Sequence, residues 1–317
     1  MRTVKMKPSI TVVGSVNMDL VFRTPRMPAI GETLHGHEFR QIPGGKGANQ
    51  AVAAARQGAA VRFIGAVGDD GFGEFSRNCL NAEGIDLHYL STCKDLATGV
   101  AGIMVEDCGN NSIVLAAGAN AALSIDHIEA ASAAISSAQF LICQLETPLP
   151  TVSRAIAIAH AHGVKVILNP APAFALTDAL LQQVDYLIVN ETEASQLSDI
   201  QVVDQASARL ASQVLLQRGA GVVLLTMGEH GTLITETSGD QFIPAIRVDV
   251  VDTTAAGDTF VGAFAVGLAN GLSLLDASNE AQYTAALTVT KLGAQTSIPQ
   301  RQQVLDFMAQ RKATSGK

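Results

Sequence analysis

The segment VVDTTAAGDTFVGAF, residues 250–264, combines small residues and a carboxylate with the start of a patterned apolar stretch. A turn of small residues that opens a helix exposes free backbone N–H groups and binds anions. The N–H groups of Ala255, Ala256 and Gly257 could hold a phosphoryl group. Asp258 follows them and could accept the proton of an attacking hydroxyl, as phosphoryl transfer to an alcohol requires. A helix N-cap would also explain an aspartate at this place.

A second segment, PGGKGANQAVAAA at residues 43–55, offers groups for binding hydroxyls. It is not the phosphate-binding loop G-x-x-x-x-G-K-[ST], because Gly47 follows the lysine, and no G-x-G-x-x-G motif follows a predicted strand. Its two consecutive glycines let a ligand approach the backbone, and Lys46 and Asn49 supply donors. A tight turn followed by a helix start is the structural alternative.

Two further segments pair an amide with a carboxylate after a predicted strand. Asn17 and Asp19 are two residues apart, so in a strand they face the same side and could bind neighbouring sugar hydroxyls. Asn190 ends a strand and Glu193 lies one helical turn later, a spacing that could serve a hydrated Mg²⁺. An Asx turn at the first pair and a helix cap at the second are the alternatives.

These candidates are positioned by strands that alternate with helices. Six segments are predicted as buried strands: 9–16, 61–68, 138–146, 164–170, 184–190 and 220–228. Four segments between them have helical patterns: 47–59, 126–138, 149–163 and 206–220. The alternation predicts an α/β fold, a doubly wound and mostly parallel sheet with helices on both faces, which binds ligands at the carboxyl ends of its strands.

Two segments interrupt this alternation, residues 19–43 and residues 97–117. The second has the pattern of a hairpin that turns around Asp107–Asn111. We therefore expect one domain over residues 1–317 with a small antiparallel sheet inserted at two points. Because both insertions adjoin the glycine-rich segments, the small sheet is predicted to be a lid, with surface decoration as the alternative.

Composition excludes several classes of protein. The chain has 317 residues, of which 48% are apolar and 16% charged, and its formal net charge of −8 argues against a nucleic-acid partner. No apolar run reaches the roughly 18 residues of a membrane span, so no membrane partner is expected. The four cysteines are scattered, and residues 1–15 lack an apolar secretory region; both favour a cytoplasmic location.

Five motifs in this order resemble those of the ribokinase-like (phosphofructokinase-B type) family of carbohydrate kinases, over roughly residues 10–300. They are GGKGANQ at 44–50, NPAPA at 169–173, NETE at 190–193, TMGEHG at 226–231 and DTTAAGDTF at 252–260. The resemblance implies an α/β domain with a β-sheet lid, often used for forming a homodimer. It also implies transfer of the γ-phosphate of ATP to O5 of D-ribose.

The same resemblance implies roles for individual residues. Asp258 would be the base, and Ala255–Gly257 would form an anion hole. Sugar-binding positions would be Asn17, Asp19, Gly45, Lys46, Asn49, Glu146 and Asp258. ATP-binding positions would be Asn190, Thr226, Gly228, Gly231 and Gly257, with Glu193 serving Mg²⁺ through water. An activating monovalent cation, usually K⁺, would be held at Asp252, Thr254, Thr288, Lys291, Gly293 and Ser297.

Three residues depart from the pattern of the family or call for comment. Ala255 stands where many members have glycine, which we expect to be tolerated if its φ is negative. Gln282 falls where some members place a histidine near the adenine, which leaves the nucleotide contacts at 279–283 open. Met18 is expected to point into the core rather than narrow the sugar site.

Other functions stay open at this point. The same chemistry could act on 2-deoxy-D-ribose, another small sugar or a nucleoside, because a sequence cannot place the atoms that recognise the 2-hydroxyl. A sugar sensor with the same fold is a different class, but it would be expected to lose Asp258 or Gly257. A NAD-dependent oxidoreductase is disfavoured by the missing glycine fingerprint.

Overall fold

The computed structural model describes residues 7–315. The first six residues lie outside the described residues. They belong to the stretch 1–15, on which the expected absence of a secretory signal rests. The strands are β1 (Ser9–Val13), β2 (Asn17–Thr24), β3 (Glu38–Gly44), β4 (Ala60–Gly68), β5 (Asp86–Cys93), β6 (Gly99–Glu106), β7 (Asn111–Ala116), β8 (Phe140–Cys143), β9 (Lys165–Leu168), β10 (Tyr186–Asn190), β11 (Val222–Thr226), β12 (Thr232–Glu236) and β13 (Gly239–Ile243). The α-helices are α1 (Lys46–Arg56), α2 (Gly71–Ala82), α3 (Ile125–Ala130), α4 (Ser132–Ser136), α5 (Leu149–Ala161), α6 (Asp178–Leu181), α7 (Glu191–Ser198), α8 (Gln205–Gln217), α9 (Ala256–Ala269), α10 (Leu274–Thr288) and α11 (Arg301–Ser315).

The larger sheet has the strand order β13-β12-β11-β10-β9-β8-β1-β4-β5. Strands β11 to β5 in this order are parallel, and β12 and β13 are antiparallel at one edge. Side chains of β1 pack into two different apolar clusters. Val13 belongs to the first cluster, whereas Ile10 and Val12 belong to the second, so both faces of the sheet are covered. The predicted mostly parallel sheet with helices on both faces is confirmed.

The smaller sheet has the order β3-β2-β6-β7 and is made from the two predicted insertions. The β6–β7 hairpin is antiparallel, as predicted, but β2 and β6 pair in parallel, so the expectation of a purely antiparallel sheet is wrong. The reason is topological. Strands β1 and β5 are both part of the parallel sheet, so they deliver the chain to the same edge, and β2 and β6 leave that edge in the same direction.

Some elements differ from the prediction. The helix predicted over 126–138 is divided into α3 and α4 at Ala131, where the backbone leaves the helical region (φ −94°, ψ 6°). Strands β5, β12 and β13 were not predicted; β12 and β13 are joined by a tight turn at Gly239, which has a positive φ of 138°. No helix among residues 7–315 combines the length and apolar character needed to cross a membrane.

Close packing of α9 on α1 joins the two glycine-rich segments. A Cβ atom at Gly262 of α9 would lie 2.6 Å from the Cβ of Ala53 and 2.7 Å from the carbonyl oxygen of Gln50. Glycine is required there because a side chain would push the helices apart. The approach brings residues of α1 beside Asp258, although they are separated by more than 200 positions in sequence.

Candidate active site

A cavity of about 200 Å³ lies at the carboxyl edge of the large sheet, between β9–β11 and the start of α9. Side chains and backbone from five of the predicted segments line it: Lys46, Asn169, Asn190, Glu193, Thr226 and residues 255–258. Segments that are distant in sequence therefore meet in one place, as the sequence predicts.

Asp258 is buried in the first turn of α9, with 7% of its surface exposed. Its Oδ2 accepts a hydrogen bond from Asn49 Nδ2 at 3.0 Å, and its Oδ1 accepts one from Gln50 Nε2 at 2.9 Å. The N-cap of α9 is Ala255, so the alternative explanation of Asp258 as an N-cap is wrong. The carboxylate is instead held by α1 at the wall of the cavity.

The turn before α9 does not meet the condition stated for Ala255. This residue has φ 61° and ψ 8°, in the left-handed region, whereas alanine was expected to be tolerated there if its φ is negative. The conformation costs an L-residue about 1 kcal/mol or more relative to glycine, which fits the preference of the family for glycine at this place. The N–H of Ala256 donates a long bond of 3.3 Å to the carbonyl of Thr253, which closes the turn.

Glu146 ties together the two segments predicted to bind hydroxyls. Its Oε2 accepts hydrogen bonds from Ser15 Oγ at 2.5 Å, from the backbone N–H of Lys46 at 3.0 Å and from Asn17 Nδ2 at 3.3 Å. One carboxylate thus joins the β1–β2 connection to the start of α1. Its second oxygen, Oε1, takes part in none of these bonds.

Asp19 is a buried hydrogen-bond acceptor for which nothing within residues 7–315 supplies a donor. Burial, followed by repulsion from Glu146 and Asp258, raises its pKa from 3.8 to about 7. Gly44 makes room for it, since a Cβ atom at Gly44 would lie 2.4 Å from Oδ2. This carboxyl is therefore placed to accept hydrogen bonds from a ligand. The predicted orientation of Met18, between the two polar residues, is confirmed because it is buried in the core.

The charges around the cavity are unbalanced. Burial alone would lower the pKa of Lys46, but the fields of Asp258, Glu146 and Glu193 outweigh it and the pKa is raised. Lys46 thus keeps its positive charge. Three carboxyl groups act on it, those of Asp258, Glu146 and Glu193, and Asp19 lies close enough to two of them to be affected by their charge. An anionic ligand such as a triphosphate would need an additional cation to enter this site.

Asn190 and Glu193 form a capping box at the start of α7. Asn190 Oδ1 accepts from the backbone N–H of Glu193 at 2.8 Å, and Glu193 Oε2 accepts from that of Asn190 at 3.0 Å. Burial raises the pKa of Glu193, opposed by the Asn190 N–H and by Lys46. The capping alternative is thus correct, and it also fixes the Glu193 carboxylate at the cavity wall. A role toward Mg²⁺ stays a prediction.

Three of the predicted nucleotide positions lie at the end of β11 and in the turn after it. Thr226 ends β11 and lines the cavity; Gly228 begins the short 3₁₀ turn and Gly231 follows it, with φ of 49° and 101°. A Cβ atom at Gly231 would lie 2.1 Å from the carbonyl oxygen of Ile243, so this turn requires glycine. Gln282 Oε1 accepts from Thr232 Oγ1 at 2.7 Å, which ties α10 to β12. Its relation to adenine stays a prediction.

The predicted cation positions lie in two segments that Asp252 joins. Its Oδ1 accepts from Thr254 N at 2.9 Å and Thr254 Oγ1 at 2.6 Å, and its Oδ2 accepts from Gly293 N at 2.8 Å. Burial would raise the pKa of Asp252, but these bonds lower it. Two further positions, Thr288 and Ser297, are buried, whereas Lys291 is exposed.

The hydroxyls of Thr288 and Ser297 already bond within the protein, to Thr284 O at 3.1 Å and Ala294 O at 2.7 Å. Both hydroxyls act as donors in these bonds, so their lone pairs stay available to a cation, beside the backbone carbonyls. Among residues 7–315, no three or more His, Cys, Asp or Glu side chains are grouped as metal ligands.

Sequence reasoning missed several polar residues that hold the site. Gln50, Gln144 and Asn169 connect to Asp258 through their amides. Asn120 donates to Asn17 Oδ1 at 2.8 Å and exchanges two bonds with the backbone of Val16, so it orients the β1–β2 connection. One sequence signal could have found them: each is a polar amide within a stretch of otherwise apolar or small residues. A buried amide needs a hydrogen-bond partner, so such a residue indicates a polar contact in the core.

A buried carboxylate in the first turn of a helix, beside further buried carboxyl and amide groups, suits a phosphotransferase that acts on an alcohol. Residues 7–301 match the sequence model of the family described as pfkB family carbohydrate kinase. The chain is 44% identical to the ribokinase of Haemophilus influenzae, over 96% of this chain and 99% of that one. It is 37% identical to the deoxyribokinase of Salmonella typhi, over 95% and 98% of the two chains.

Among solved structures, the Arabidopsis thaliana ribokinase complexed with ribose and ATP is similar, with a TM-score of 0.88 and 31% identity. The similarity covers 95% of this chain and 99% of that one. The chain belongs to the pfkB family of carbohydrate kinases. The family expected from the sequence motifs is thereby confirmed.

Proposed function

We propose that this chain transfers the γ-phosphate of ATP to O5 of D-ribose and releases D-ribose 5-phosphate and ADP. The observation that carries the proposal is the position of Asp258. This residue lies at the start of α9 and at the wall of the cavity, and two amide donors from α1 fix its carboxylate. The curated relative that is 44% identical over nearly the whole chain is named a ribokinase, which supports ribose as the acceptor.

The sugar would be held by the acceptors at the β1–β2 connection and the start of α1. Asp19 and Glu146 accept hydrogen bonds from its hydroxyls, while Asn17 and Asn49 contribute amide groups and Gly45 lets it approach the backbone. Because Asp19 lies in the lid sheet, a bound sugar would draw the lid over the cavity. Closure excludes water, so that the phosphoryl group passes to the sugar and not to solvent.

The chemical step follows from the position of Asp258. The O5–phosphorus bond forms while the bond between the γ-phosphorus and its bridging oxygen breaks, and Asp258 accepts the proton of O5. The N–H groups of Ala255, Ala256 and Gly257, together with Lys46, stabilise the negative charge on the transferring group. Thr226, Gly228 and Gly231 would line the nucleotide side.

Two cations complete the proposal. Glu193 and Asn190 fit a hydrated Mg²⁺, because carboxylates outnumber the lysine at the cavity and Mg²⁺ keeps most of its waters. The segments joined by Asp252 fit a monovalent cation such as K⁺, held mainly by carbonyls of Thr254, Thr288, Lys291, Gly293 and Ser297. When bound, these ions supply positive charge that offsets the phosphates and supports the anion hole.

One alternative substrate has a specific observation in its favour. A relative 37% identical to this chain is named a deoxyribokinase, and 2-deoxy-D-ribose differs from ribose only by the 2-hydroxyl. The size of Met18 is not expected to decide between the two sugars, because Met18 is buried on the face of β2 opposite Asn17 and Asp19. Discrimination depends on whether a buried polar group pairs with the 2-hydroxyl.

An ADP-release assay with ATP tests the proposal, comparing D-ribose, 2-deoxy-D-ribose, fructose and adenosine at equal concentration. We expect kcat/KM to be highest for ribose, and activity to fall when Mg²⁺ is chelated or when K⁺ is replaced by tetramethylammonium. A preference for 2-deoxy-D-ribose would replace ribose as the substrate and keep the roles of the residues. No turnover of any of the four would contradict the function and favour a sugar sensor.

The cytoplasm is the compartment we propose for this activity. Cys79, Cys93, Cys108 and Cys143 are all free thiols in the structure, as a reducing compartment requires. Fractionation of the native host, followed by detection of the chain in each fraction, tests this proposal.

We further propose a homodimer formed through the lid. Strand register places Phe22, Phe39 and Val114 on one face of the lid sheet and Asp19 on the other. The three apolar side chains are between 44% and 71% exposed, and their face is turned away from the sugar site. Every residue of β7, at the edge of the lid sheet, is exposed as well. Such a face and edge favour association with a second copy.

Sedimentation velocity at micromolar concentration checks this assembly. The wild type is expected to sediment as a dimer and Val114→Glu as a monomer, because the new charge would be buried in the interface. Val203→Glu is the matched control, since Val203 is 75% exposed but lies outside the lid. A monomeric wild type would contradict the proposal.

A further inference from the structure

Gln50 is a fully buried amide whose groups are all engaged around Asp258. Its Nε2 donates to Asp258 Oδ1 at 2.9 Å and to Asn169 Oδ1 at 3.1 Å, and its Oε1 accepts from Gln144 Nε2 at 2.6 Å. Gln50 therefore uses both protons of its amide and one lone pair of its oxygen. Gln144 follows β8 directly and is also fully buried. It bonds to Gln50, which in turn bonds to Asp258.

The direction of every amide in this chain of bonds is forced by one backbone group. Asn169 Nδ2 donates to the carbonyl of Ile188 at 3.0 Å, and a carbonyl can only accept. Asn169 Oδ1 must then be the acceptor that faces Gln50, so the NH₂ group of Gln50 points toward Asn169 and Asp258. Its oxygen is left facing Gln144, which must donate. The side of Gln50 that meets Asp258 can only be an N–H donor.

Gln144 itself is costly to bury. Its Oε1 has no hydrogen-bond partner among the described residues, and an unpaired buried polar atom destabilises a fold by about 1–3 kcal/mol. The site is also narrow, because a Cβ atom at Gly14 would lie 2.1 Å from this Oε1. An apolar side chain would serve packing better there. Within residues 7–315, the side chain of Gln144 makes one hydrogen bond, the donation to Gln50.

We propose that Gln50 and Gln144 are positioning residues for the base, an inference that rests on the proposed sugar-kinase function. Gln50 fixes the Asp258 carboxylate by donating to Oδ1, which leaves the rest of the carboxylate in place to receive the proton of the sugar hydroxyl. Gln144 acts through Gln50 by holding its amide in the donating orientation. Both residues lie outside the cavity lining, so neither is placed against the sugar or the transferring phosphoryl group.

The test compares kcat and KM for the wild type, Gln50→Leu, Gln144→Met and the double variant, with the sugar that the wild type accepts. Gln50→Leu is expected to lower kcat about 100-fold, the effect of a misplaced catalytic group, and to change the KM for the sugar less than threefold. Gln144→Met is expected to lower kcat about 10-fold. In the Gln50→Leu background, Gln144→Met is expected to have no further effect, since it acts only through Gln50.

Gln57→Leu is the matched control. Gln57 is also a buried glutamine at the end of α1, but its Nε2 donates to the carbonyl of Pro299 at 2.9 Å, away from Asp258. It is expected to lose thermal stability as Gln50→Leu does, and to keep kcat within twofold of the wild type. If Gln50→Leu does not fold, Gln144→Met still tests the proposal, because Gln144 is bonded to Gln50 and Gln50 to Asp258, so its replacement leaves the direct contact with Asp258 in place.

An unchanged kcat in folded Gln50→Leu would overturn the proposal. So would an effect of Gln144→Met that persists in full in the double variant. Failure of the proposed function has a different signature, because the wild type itself would then turn over none of the four acceptors.

Discussion

Replacing Asp258 with asparagine is expected to lower kcat by roughly two to four orders of magnitude, the range for a positioned base. The amide cannot accept the proton of the sugar hydroxyl, although its size is nearly the same. Ribose binding is expected to persist, because Asp19, Glu146 and Asn17 are the residues we propose for the other hydroxyls. Measuring kcat by ADP release, and ribose binding by calorimetry, separates the two effects.

The variant is expected to fold, with a modest loss of stability. Both oxygens of Asp258 accept hydrogen bonds from amides, so an asparagine would place its NH₂ group against a donor, Asn49 or Gln50, at a cost of about 1–3 kcal/mol. Asp276→Asn is the matched control, because Asp276 occupies the same place in the first turn of α10 but is far more exposed. A kcat of Asp258→Asn within threefold of the wild type would remove Asp258 as the base.

Replacing Asp19 with asparagine is expected to raise the KM for ribose about 100-fold. An effect of this size corresponds to the loss of about two hydrogen bonds that sugar hydroxyls donate to a charged acceptor. In the wild type, this KM is expected to fall as pH rises through 7, because Asp19 then ionises and becomes a stronger acceptor. The asparagine variant should lack that pH dependence. Initial rates over a range of ribose concentrations at pH 6, 7 and 8.5 give both results.

The same variant should become more stable relative to the wild type as pH rises. The pKa of Asp19 is about 7 in the folded chain and 3.8 for an unperturbed aspartate, the value expected in the unfolded chain. The contribution of Asp19 to stability is therefore present below pH 4 and is lost between pH 4 and 7. The difference in Tm between Asp19→Asn and the wild type should therefore grow over that window and level off above it.

Asp95→Asn is the control for this effect, since Asp95 is exposed in the turn after β5. A difference in Tm that does not change with pH would show that Asp19 is not buried as a near-neutral carboxyl. An unchanged KM would remove it from the sugar site.

Much of the candidate site was predictable from the sequence because each of its parts is local. Asn190 and Glu193 are three residues apart, and residues 255–258 form one turn, so the backbone alone brings their groups together. Alternating strands and helices place the ends of parallel strands at one edge. The sequence by itself therefore determined the parallel sheet, the carboxyl edge as the site and the polar groups that meet there.

Tertiary structure alone decided the features that depend on packing between distant segments. The left-handed conformation of Ala255 depends on how the chain enters α9, and the parallel pairing of β2 with β6 depends on where β1 and β5 end. Gln50 meets Gln144 and Asp258 across 94 and 208 positions of sequence. No periodicity or spacing carries such contacts, because they are set by the approach of α9 to α1, which Gly262 allows.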